Sequence, residues 1–419
     1  MDTTKYFPSV EAIDKAAEVL TEILEPTPFM KNNNLSDVYD ANVFLKREDL
    51  QVVRSYKIRG AFNKIRTLEP ELLSKGIVCA SAGNHAQGVA FSCSKLQIMG
   101  SIFMPTTTPK QKIEQVRMFG REFIEIVLTG DTFDAANSAA IAYAEETGKT
   151  FIPPFDDPKV MEGQGTIGKE ILSQSKVKLD YIFVPIGGGG LASGLGAYFK
   201  QMHPETKIIG VEPGGAPCMK AAIEAGETVR LEHIDKFVDG AAVQKAGSLT
   251  YEVCKEVLDD IIVVPEGAVC TTIIQMYNKS AIVVEPAGAL AAAALRFYAD
   301  KIKGKNVACV VSGSNNDITR MEEIREKSLL YEGLKHYFII TFPQKSGEIL
   351  SFVRDVIGPT DDLVYIQYIK KTNKNFGPAL IGIELSAKEN FDALIQRLDA
   401  HGAEYEYINK NNKLFEILI

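Results

Sequence analysis

The sequence lacks most of the patterns that identify metalloproteins, secreted proteins and membrane proteins. Its six cysteines include no C-x-x-C pair and its five histidines include no H-E-x-x-H motif, which argues against zinc sites and disulfide frameworks. No apolar run approaches the roughly 18 residues that span a bilayer. The first residues, MDTTKYFPSV, lack the basic and apolar segments of a signal peptide. We therefore predict a cytoplasmic protein that has no membrane partner.

An excess of basic residues is also missing. The formal net charge is -8, and acidic and basic residues are mixed along the chain, so no basic surface for nucleic acid is expected. The length of 419 residues exceeds that of one typical domain and allows two or three.

Short β-branched runs alternate with helical stretches over the first ~330 residues, which predicts an α/β doubly wound fold. Helical stretches include residues 132–147 and 166–176. Most of the predicted strands are apolar on both faces, as buried parallel strands are. These strands are Ile77–Ala80, Ser101–Met104, Ile124–Leu128, Tyr181–Ile186, Lys207–Glu212, Ile261–Val264 and Asn306–Ser312.

The last part of the chain has a different pattern. After a charged helix and linker at residues 321–335, residues 336–419 read as β-α-β-β-α-β, which predicts a ferredoxin-like α+β domain. Its second helix is predicted over residues 386–401, with a capping box of Ser386 and Glu389 at the start and Gly402 at the end. The other predicted elements are strands at 337–342, 363–371 and 379–385, a helix at 347–357, and one or two final strands.

Lys57 lies in the segment SYKIRGA, which follows a predicted strand and loop at residues 44–51 and opens a helix. A helix N-terminus disfavours a cation, and burial there would lower the pKa of the amine and make it a nucleophile or base. The segment by itself fits a solvated surface lysine equally well.

The segment SAGNHAQG, residues 81–88, lies between the strand Ile77–Ala80 and a helix. Asn84 is a candidate N-cap, and the free N–H groups of such a turn bind carboxylates well. An ordinary capped turn explains the segment too, and His85 taken alone is more often structural than catalytic.

Four consecutive glycines, Gly187, Gly188, Gly189 and Gly190, precede Leu191 and follow the strand Tyr181–Ile186. Glycines let backbone N–H groups close on a phosphate at a helix N-terminus. The same residues fit a relaxed dinucleotide fingerprint, with Glu212 at the position of a ribose-binding acid. The segment alone therefore favours neither a dinucleotide nor another phosphorylated cofactor.

Ser312 ends an apolar strand in the segment VSGSN, and such a residue faces the ligand crevice of a doubly wound fold. A turn-forming serine is the commoner explanation of the segment when it is taken alone.

Together and in this order, SYKIRGA, SAGNHAQG, GGGGL, VEPAGA and SGSN resemble the fold-type II enzymes that use pyridoxal 5′-phosphate, and within them the threonine dehydratases. The resemblance covers roughly residues 20–320. It implies a catalytic domain over residues 1–320, with a small lobe at about 55–150 inserted in a large lobe. A dinucleotide-binding oxidoreductase would leave Lys57, Asn84 and Ser312 unexplained.

The resemblance implies a role for each motif. Lys57 forms the Schiff base with the cofactor, and Asn84 hydrogen-bonds its phenolic oxygen. The loop 187–191 holds the phosphate, and Ser312 contacts the pyridine nitrogen. The substrate contacts implied by the family are Ser81, Ala82, Gly83, Asn84 and His85.

The implied reaction is the conversion of L-threonine to 2-oxobutanoate and ammonia, in isoleucine biosynthesis, with Lys57 as the base at the α-carbon. A lyase acting on serine stays an alternative. Related racemases have a serine where this chain has Ala82, and metal-binding relatives have an aspartate where it has Cys218, so we predict neither racemisation nor a required metal.

The C-terminal module, residues 336–419, resembles the single ACT-like regulatory domain of short biosynthetic threonine dehydratases. This implies feedback by isoleucine or valine and a homo-oligomer, either a dimer or a tetramer.

Overall fold

A computed structural model describes residues 6–369 and 374–410 of the chain. The chain divides into two units, Met1–Asp317 and Ile318–Ile419, and each has its own hydrophobic core. The end of the predicted strand 363–371, and any strand after residue 410, lie outside the described residues. Within the described ranges, every helix is too short or too polar to cross a membrane.

The strands of the first unit are β1 Phe29–Lys31, β2 Asn42–Arg47, β3 Ile77–Ala80, β4 Gly100–Met104, β5 Ile124–Leu128, β6 Thr150–Phe151, β7 Tyr181–Pro185, β8 Lys207–Pro213, β9 Asp260–Val264 and β10 Asn306–Val311. Its helices are α1 Val10–Leu20, α2 Asn33–Tyr39, α3 Lys57–Arg66, α4 Pro70–Lys75, α5 Asn84–Leu96, α6 Lys110–Gly120, α7 Phe133–Thr147, α8 Pro158–Gln174, α9 Gly190–Met202, α10 Cys218–Ala225, α11 Ser248–Val257, α12 Glu266–Ser280 and α13 Pro286–Ile302.

These strands form two sheets. The larger has the order β1-β2-β10-β7-β8-β9 and is parallel except for the pairing of β1 with β2. The smaller is parallel throughout, with the order β5-β4-β3-β6. Predicted strands with apolar residues on both faces therefore do form parallel sheets between helices.

The strand order reverses between β10 and β7. These strands are parallel neighbours, with Cys309 opposite Phe183, so the segments that follow them leave the same edge of the sheet. Ser312 follows β10, and the glycine loop follows β7. Ligands of open α/β sheets bind at such a switch in strand order, outside the carboxyl ends of the strands.

Helix α8 begins at Pro158, eight residues before the predicted start at Thr166, with Asp157 as its N-cap. The glycines in its first half weaken the helical pattern of the sequence, but they allow neighbouring helices to approach closely. A Cβ on Gly163 would lie 2.6 Å from the carbonyl oxygen of Arg59 in α3, and one on Gly194 of α9 would lie 2.2 Å from that of Met161. Helix α8 thus packs closely against α3, which begins at Lys57, and against α9, which begins in the glycine loop.

Two predicted strands are not buried on both faces. Strand β5 is half-buried or exposed throughout, and β9 is buried only at Val264. Each lies at an edge of its sheet, where one neighbour is missing. The apolar runs identified these strands correctly, but their position in the sheet decided how far they are buried.

The second unit has the predicted ferredoxin-like arrangement. Its elements are α14 Met321–Tyr331, β11 Lys335–Pro343, α15 Glu348–Val356, β12 Asp362–Tyr368, β13 Phe376–Glu384, α16 Phe391–His401 and β14 Glu404–Tyr407. The sheet is antiparallel with the order β12-β13-β11-β14. The helix predicted within residues 321–335 is α14.

The predicted capping box at Ser386 and Glu389 is wrong. A short 3₁₀ turn occupies Lys388–Asn390, and α16 begins only at Phe391. The Ser386 hydroxyl accepts a hydrogen bond from the Asn390 side chain at 3.1 Å. The expected end of the helix is confirmed, because Gly402 is the C-cap with a positive φ of 73°.

Candidate active site

Lys57 is the first residue of α3, and its amine reaches the loop after β6. Nζ donates a hydrogen bond to the carbonyl oxygen of Pro154 at 2.9 Å. Burial lowers the pKa of the amine to about 8, and the Glu285 carboxylate opposes part of this shift. More of this amine is therefore neutral near physiological pH than in an exposed lysine, and the neutral form is the nucleophile and base.

His85 is held by the same loop. Its Nε2 atom lies 2.9 Å from the carbonyl oxygen of Ile152 and, because a carbonyl only accepts, this nitrogen carries the hydrogen. Burial, and secondly the charge of Lys57, lower the pKa of the imidazole to about 3. The ring is therefore neutral, and its contact with the backbone fits a supporting role.

The glycine loop is closely packed and ends at the N-terminus of α9. Gly189 has a positive φ of 97°, and a Cβ on Gly188 would lie 2.3 Å from the Phe155 ring. Because side chains are excluded, backbone N–H groups can approach a phosphate, and the helix N-terminus favours its negative charge. Leu191 points away from solvent and is only 2% exposed.

Asp156 is a residue that the sequence analysis does not identify. Its carboxylate accepts hydrogen bonds from the backbone N–H groups of Ser248, Leu249 and Thr250 at 2.9, 2.9 and 3.1 Å, and so caps α11. The Thr250 hydroxyl in turn donates to the carbonyl oxygen of Gly188 at 2.6 Å. Asp156 therefore supports the glycine loop through α11.

The prediction of Asn84 as an N-cap is wrong. Gly83 is the N-cap of α5, and Asn84 is its first residue. The Asn84 carboxamide instead donates to Oε1 of Glu285 and accepts from Nδ2 of Asn315, both at 2.6 Å. The Asn84 side chain therefore bonds to residues that are distant in sequence instead of capping its own helix.

The segment 81–83 forms the turn before this helix. The Ser81 hydroxyl accepts a hydrogen bond from the N–H of Gly83 at 3.2 Å, and Ser81, Ala82 and Gly83 are all half-buried. The turn keeps part of its surface accessible, as a substrate-binding segment requires.

Ser312 is buried at the end of β10, 3% exposed, and its hydroxyl donates to the carbonyl oxygen of Ala287 at 3.1 Å. The next residue, Gly313, pairs with Ser55 across the start of the SYKIRGA segment. The Ser55 hydroxyl is fully buried and has no hydrogen-bond partner among the described residues. The sequence motifs at residues 55–60 and 311–315 thus meet in the fold.

These features fit a phosphorylated aldehyde cofactor. The loop 152–157 links them, since Pro154 contacts the lysine amine, Phe155 packs on the glycine loop and Asp156 supports it. An amine of lowered pKa can bond to an aldehyde, the glycine loop can hold a phosphate, and the buried Ser55 hydroxyl offers an unused polar group. The residues therefore suit pyridoxal phosphate.

Glu212, the candidate ribose-binding acid, is fully buried and serves α10. Its carboxylate accepts from the N–H groups of Met219 and Lys220 at 2.7 and 2.8 Å. Burial raises its pKa to about 7. Because its carboxylate is buried and already bonded to α10, Glu212 is unsuited to binding a ribose hydroxyl. Burial is also the main cause of the raised pKa of the neighbouring Cys218 thiol. Among the described residues, no group of three or more potential ligands forms a metal site.

The chain matches two family models. Residues 20–313 match the pyridoxal-phosphate dependent enzymes, and residues 326–418 match the C-terminal regulatory domain of threonine dehydratase. The fold and the site thus define a fold-type II pyridoxal-phosphate enzyme with a regulatory domain.

Similar proteins narrow this class. The biosynthetic L-threonine dehydratase IlvA of Halalkalibacterium halodurans is 56% identical over 98% of this chain and 99% of the relative, and that of Bacillus subtilis is 53% identical over 98% and 97%. The processed threonine deaminase isoform 2 of Solanum lycopersicum has a TM-score of 0.72 and 39% identity, covering 77% of this chain and 95% of that one. Maize serine racemase has a TM-score of 0.71 and 31% identity, covering 78% and 99%.

This chain belongs to the biosynthetic threonine dehydratases, a family of pyridoxal-phosphate lyases. The predicted fold class, lyase activity and cofactor are confirmed, and the dinucleotide alternative is set aside. The residue assignments stay predictions, as do the domain limits.

Proposed function

We propose that Lys57 holds the cofactor covalently and that the loop 187–191 binds its phosphate during the dehydration and deamination of L-threonine. The observation that carries this proposal is the environment of the Lys57 amine. The pKa of this amine is lowered to about 8, and the amine donates a hydrogen bond to the carbonyl oxygen of Pro154. The next residue, Phe155, packs its ring on the glycine loop.

Two side chains complete the proposed cofactor site. Asn84 binds the phenolic oxygen with an N–H of its carboxamide, and Ser312 contacts the pyridine nitrogen with a neutral hydroxyl. Asn84 is held by Glu285, whereas the single hydrogen of the Ser312 hydroxyl goes to the carbonyl oxygen of Ala287. The hydroxyl must therefore turn away from Ala287 to donate to the pyridine nitrogen. The turn at residues 81–85 takes the substrate carboxylate with its backbone N–H groups and the Ser81 hydroxyl.

When bound, pyridoxal phosphate supplies an electron sink for the charge that develops at the substrate α-carbon. The Lys57 amine removes the α-proton and, once protonated, can give a proton to the β-hydroxyl, which leaves as water. The enamine that is released takes up one water molecule as it hydrolyses to 2-oxobutanoate and ammonia. Ser312 carries no charge and therefore does not favour a proton on the pyridine nitrogen, which suits prompt elimination. Ala82 offers no acid or base for racemisation.

The direct test is a 2-oxoacid assay with threonine and serine as substrates. We expect threonine to give 2-oxobutanoate with the higher kcat/KM. A higher kcat/KM for serine would make the chain a serine dehydratase, and no product from either substrate would refute the proposed reaction.

We also propose that catalysis needs no divalent metal, because Glu212 already serves as the cap of α10 and is paired with a thiol rather than a second carboxylate. Hard cations require several oxygen ligands. Activity should be unchanged after exhaustive treatment with EDTA. A loss of activity that Mg²⁺ restores would refute this.

For the C-terminal unit we propose binding of isoleucine or valine with feedback on catalysis. A regulatory domain supports this, and allostery requires the effector to bind two states with different affinities, typically by about 1–3 kcal/mol. Isoleucine or valine should shift the threonine saturation curve of the intact enzyme but not of a chain cut after Asp317. If calorimetry detects neither amino acid on the intact enzyme, the unit has another role.

Assembly as a dimer or tetramer and a cytoplasmic location are predictions that rest on the family resemblance. Light scattering of the purified enzyme checks the first, and cell fractionation checks the second.

A further inference from the structure

The Asn84 carboxamide is held at both ends. Its Nδ2 atom donates to Oε1 of Glu285 and its Oδ1 atom accepts from Nδ2 of Asn315, each at 2.6 Å. The same Asn315 nitrogen also donates to the carbonyl oxygen of Val53 at 3.0 Å. Two segments that are distant in sequence, those of Glu285 and Asn315, therefore hold the Asn84 amide, and a third, that of Val53, holds Asn315.

These partners allow only one orientation of the amide. The Val53 carbonyl accepts only, so the Asn315 atom that faces it is the nitrogen, and this nitrogen must meet the oxygen of Asn84. In its ionised form the Glu285 carboxylate also accepts only, and it then must meet the nitrogen of Asn84. The two requirements agree, and the flipped amide would oppose nitrogen to nitrogen and oxygen to oxygen.

Glu285 precedes α13, but a helix-start role does not explain its side chain. The carboxylate makes no capping hydrogen bond to α13. It is directed instead to Asn84 and to the backbone N–H of Asn315. Capping of α13 therefore does not explain why a carboxylate stands at this position. The contact of this carboxylate with Asn84 does.

The surrounding backbone leaves space for this carboxylate. A Cβ on Gly313 would lie 2.4 Å from Oε1 of Glu285, and one on Gly240 would lie 3.3 Å from it. Glu285 is only 4% exposed, and burial followed by the charge of Asp239 raises its pKa to about 7, while the hydrogen bond from Asn84 and then the charge of Lys112 oppose the shift. A buried acid is costly, so the arrangement points to a use beyond packing.

We propose that Glu285 is a positioning residue that, together with Asn315, fixes the Asn84 carboxamide so that the second hydrogen of Nδ2 faces the phenolic oxygen of pyridoxal phosphate. The inference rests on the proposed contact between Asn84 and the cofactor. It assigns Glu285 no proton transfer, because its carboxylate acts through Asn84.

The test uses the holoenzyme and measures the ratio of the cofactor's visible and near-ultraviolet absorption bands, which reports where the proton at the phenolic oxygen lies. Glu285→Leu removes the acceptor but leaves Asn315 in place, so it should move the ratio toward that of Asn84→Ala, with a loss of up to about tenfold in cofactor affinity, the size expected for one hydrogen bond. Glu285→Gln, which can pair with either end of the amide, should move the ratio part of the way.

The double variant Asn84→Ala/Glu285→Leu separates positioning from general damage. Its band ratio should equal that of Asn84→Ala, because Glu285 then has no amide to orient. Glu266→Gln is the matched control, since Glu266 also begins a helix but bonds to the N–H of Gly215, and its band ratio should equal that of the wild type.

Each outcome has a definite meaning. If Asn84→Ala leaves the ratio unchanged, the proposed contact of Asn84 with the cofactor is wrong. If Asn84→Ala moves the ratio but Glu285→Gln and Glu285→Leu do not, the positioning role of Glu285 is overturned. If the leucine variant does not fold, the isosteric glutamine variant decides by itself.

Discussion

The lysine side and the phosphate side of the site are built by different means. On the lysine side, side chains reach backbone carbonyls, as Lys57 does with Pro154 and His85 with Ile152. On the phosphate side, the four glycines of the loop carry no side chains, and the Phe155 ring and the Thr250 hydroxyl support their backbone. In the proposed site, catalysis therefore depends on one amine, whereas phosphate binding depends on the backbone of a whole loop.

The largest effect should come from the lysine side. Lys57→Ala removes the amine that we propose to carry the cofactor and take the α-proton, so kcat should fall by about 10⁴-fold. Borohydride treatment of the wild type should fix the cofactor on the peptide that contains Lys57, and the variant should carry none. Labelling of a different lysine in the wild type would show that the assignment is wrong.

On the phosphate side, Gly188→Ala places a methyl group 2.3 Å from the Phe155 ring. Overpacking typically costs about 1–3 kcal/mol, so cofactor affinity should fall by about 5- to 150-fold while the fold is kept. Equilibrium dialysis of the apoenzyme against pyridoxal phosphate measures this. The double variant Phe155→Ala/Gly188→Ala should lose less affinity than the sum of the two single changes, and full additivity would contradict the steric explanation.

The pH dependence of cofactor capture above pH 7 should report mainly on the Lys57 amine. Because burial lowers the pKa of Lys57 to about 8, the neutral fraction rises about tenfold from pH 7 to pH 9 and then levels off. The rate at which the apoenzyme gains the bound cofactor's visible band should follow this curve. A rate that keeps rising above pH 9 would indicate an ordinary exposed lysine.

The smallest effect should come from the support behind the glycine loop. Asp156→Ala removes three hydrogen bonds at the start of α11, and losing a helix cap costs about 0.5–2 kcal/mol. Only part of this free-energy cost should affect the position of Gly188, because Thr250 is the link between the cap and the loop. Cofactor affinity should therefore fall about 2- to 10-fold.

Asp157→Ala is the matched control, because this neighbouring carboxylate caps α8 instead. It should lower thermal stability to a similar degree and leave cofactor affinity nearly unchanged. Equal losses of affinity in both variants would mean that Asp156 acts only through overall stability.

The active-site motifs were predictable because each is local. Lys57, the glycine loop and Ser312 all lie where a strand ends or a helix begins, and apolar runs place those boundaries within a few residues. Gly402 ended its helix as expected, since a left-handed C-cap depends on a single residue.

The sequence by itself therefore determined the order of the elements, the parallel sheets and the local setting of the residues that we propose for the chemistry. Only the tertiary structure decided what holds them. The Asp156 cap of α11, the pairing of Asn84 with Glu285, and the exposure of β5 and β9 all depend on segments far apart in the chain. Local patterns encode backbone conformation and burial of one face, but hydrogen bonds between distant segments exist only once the chain has folded.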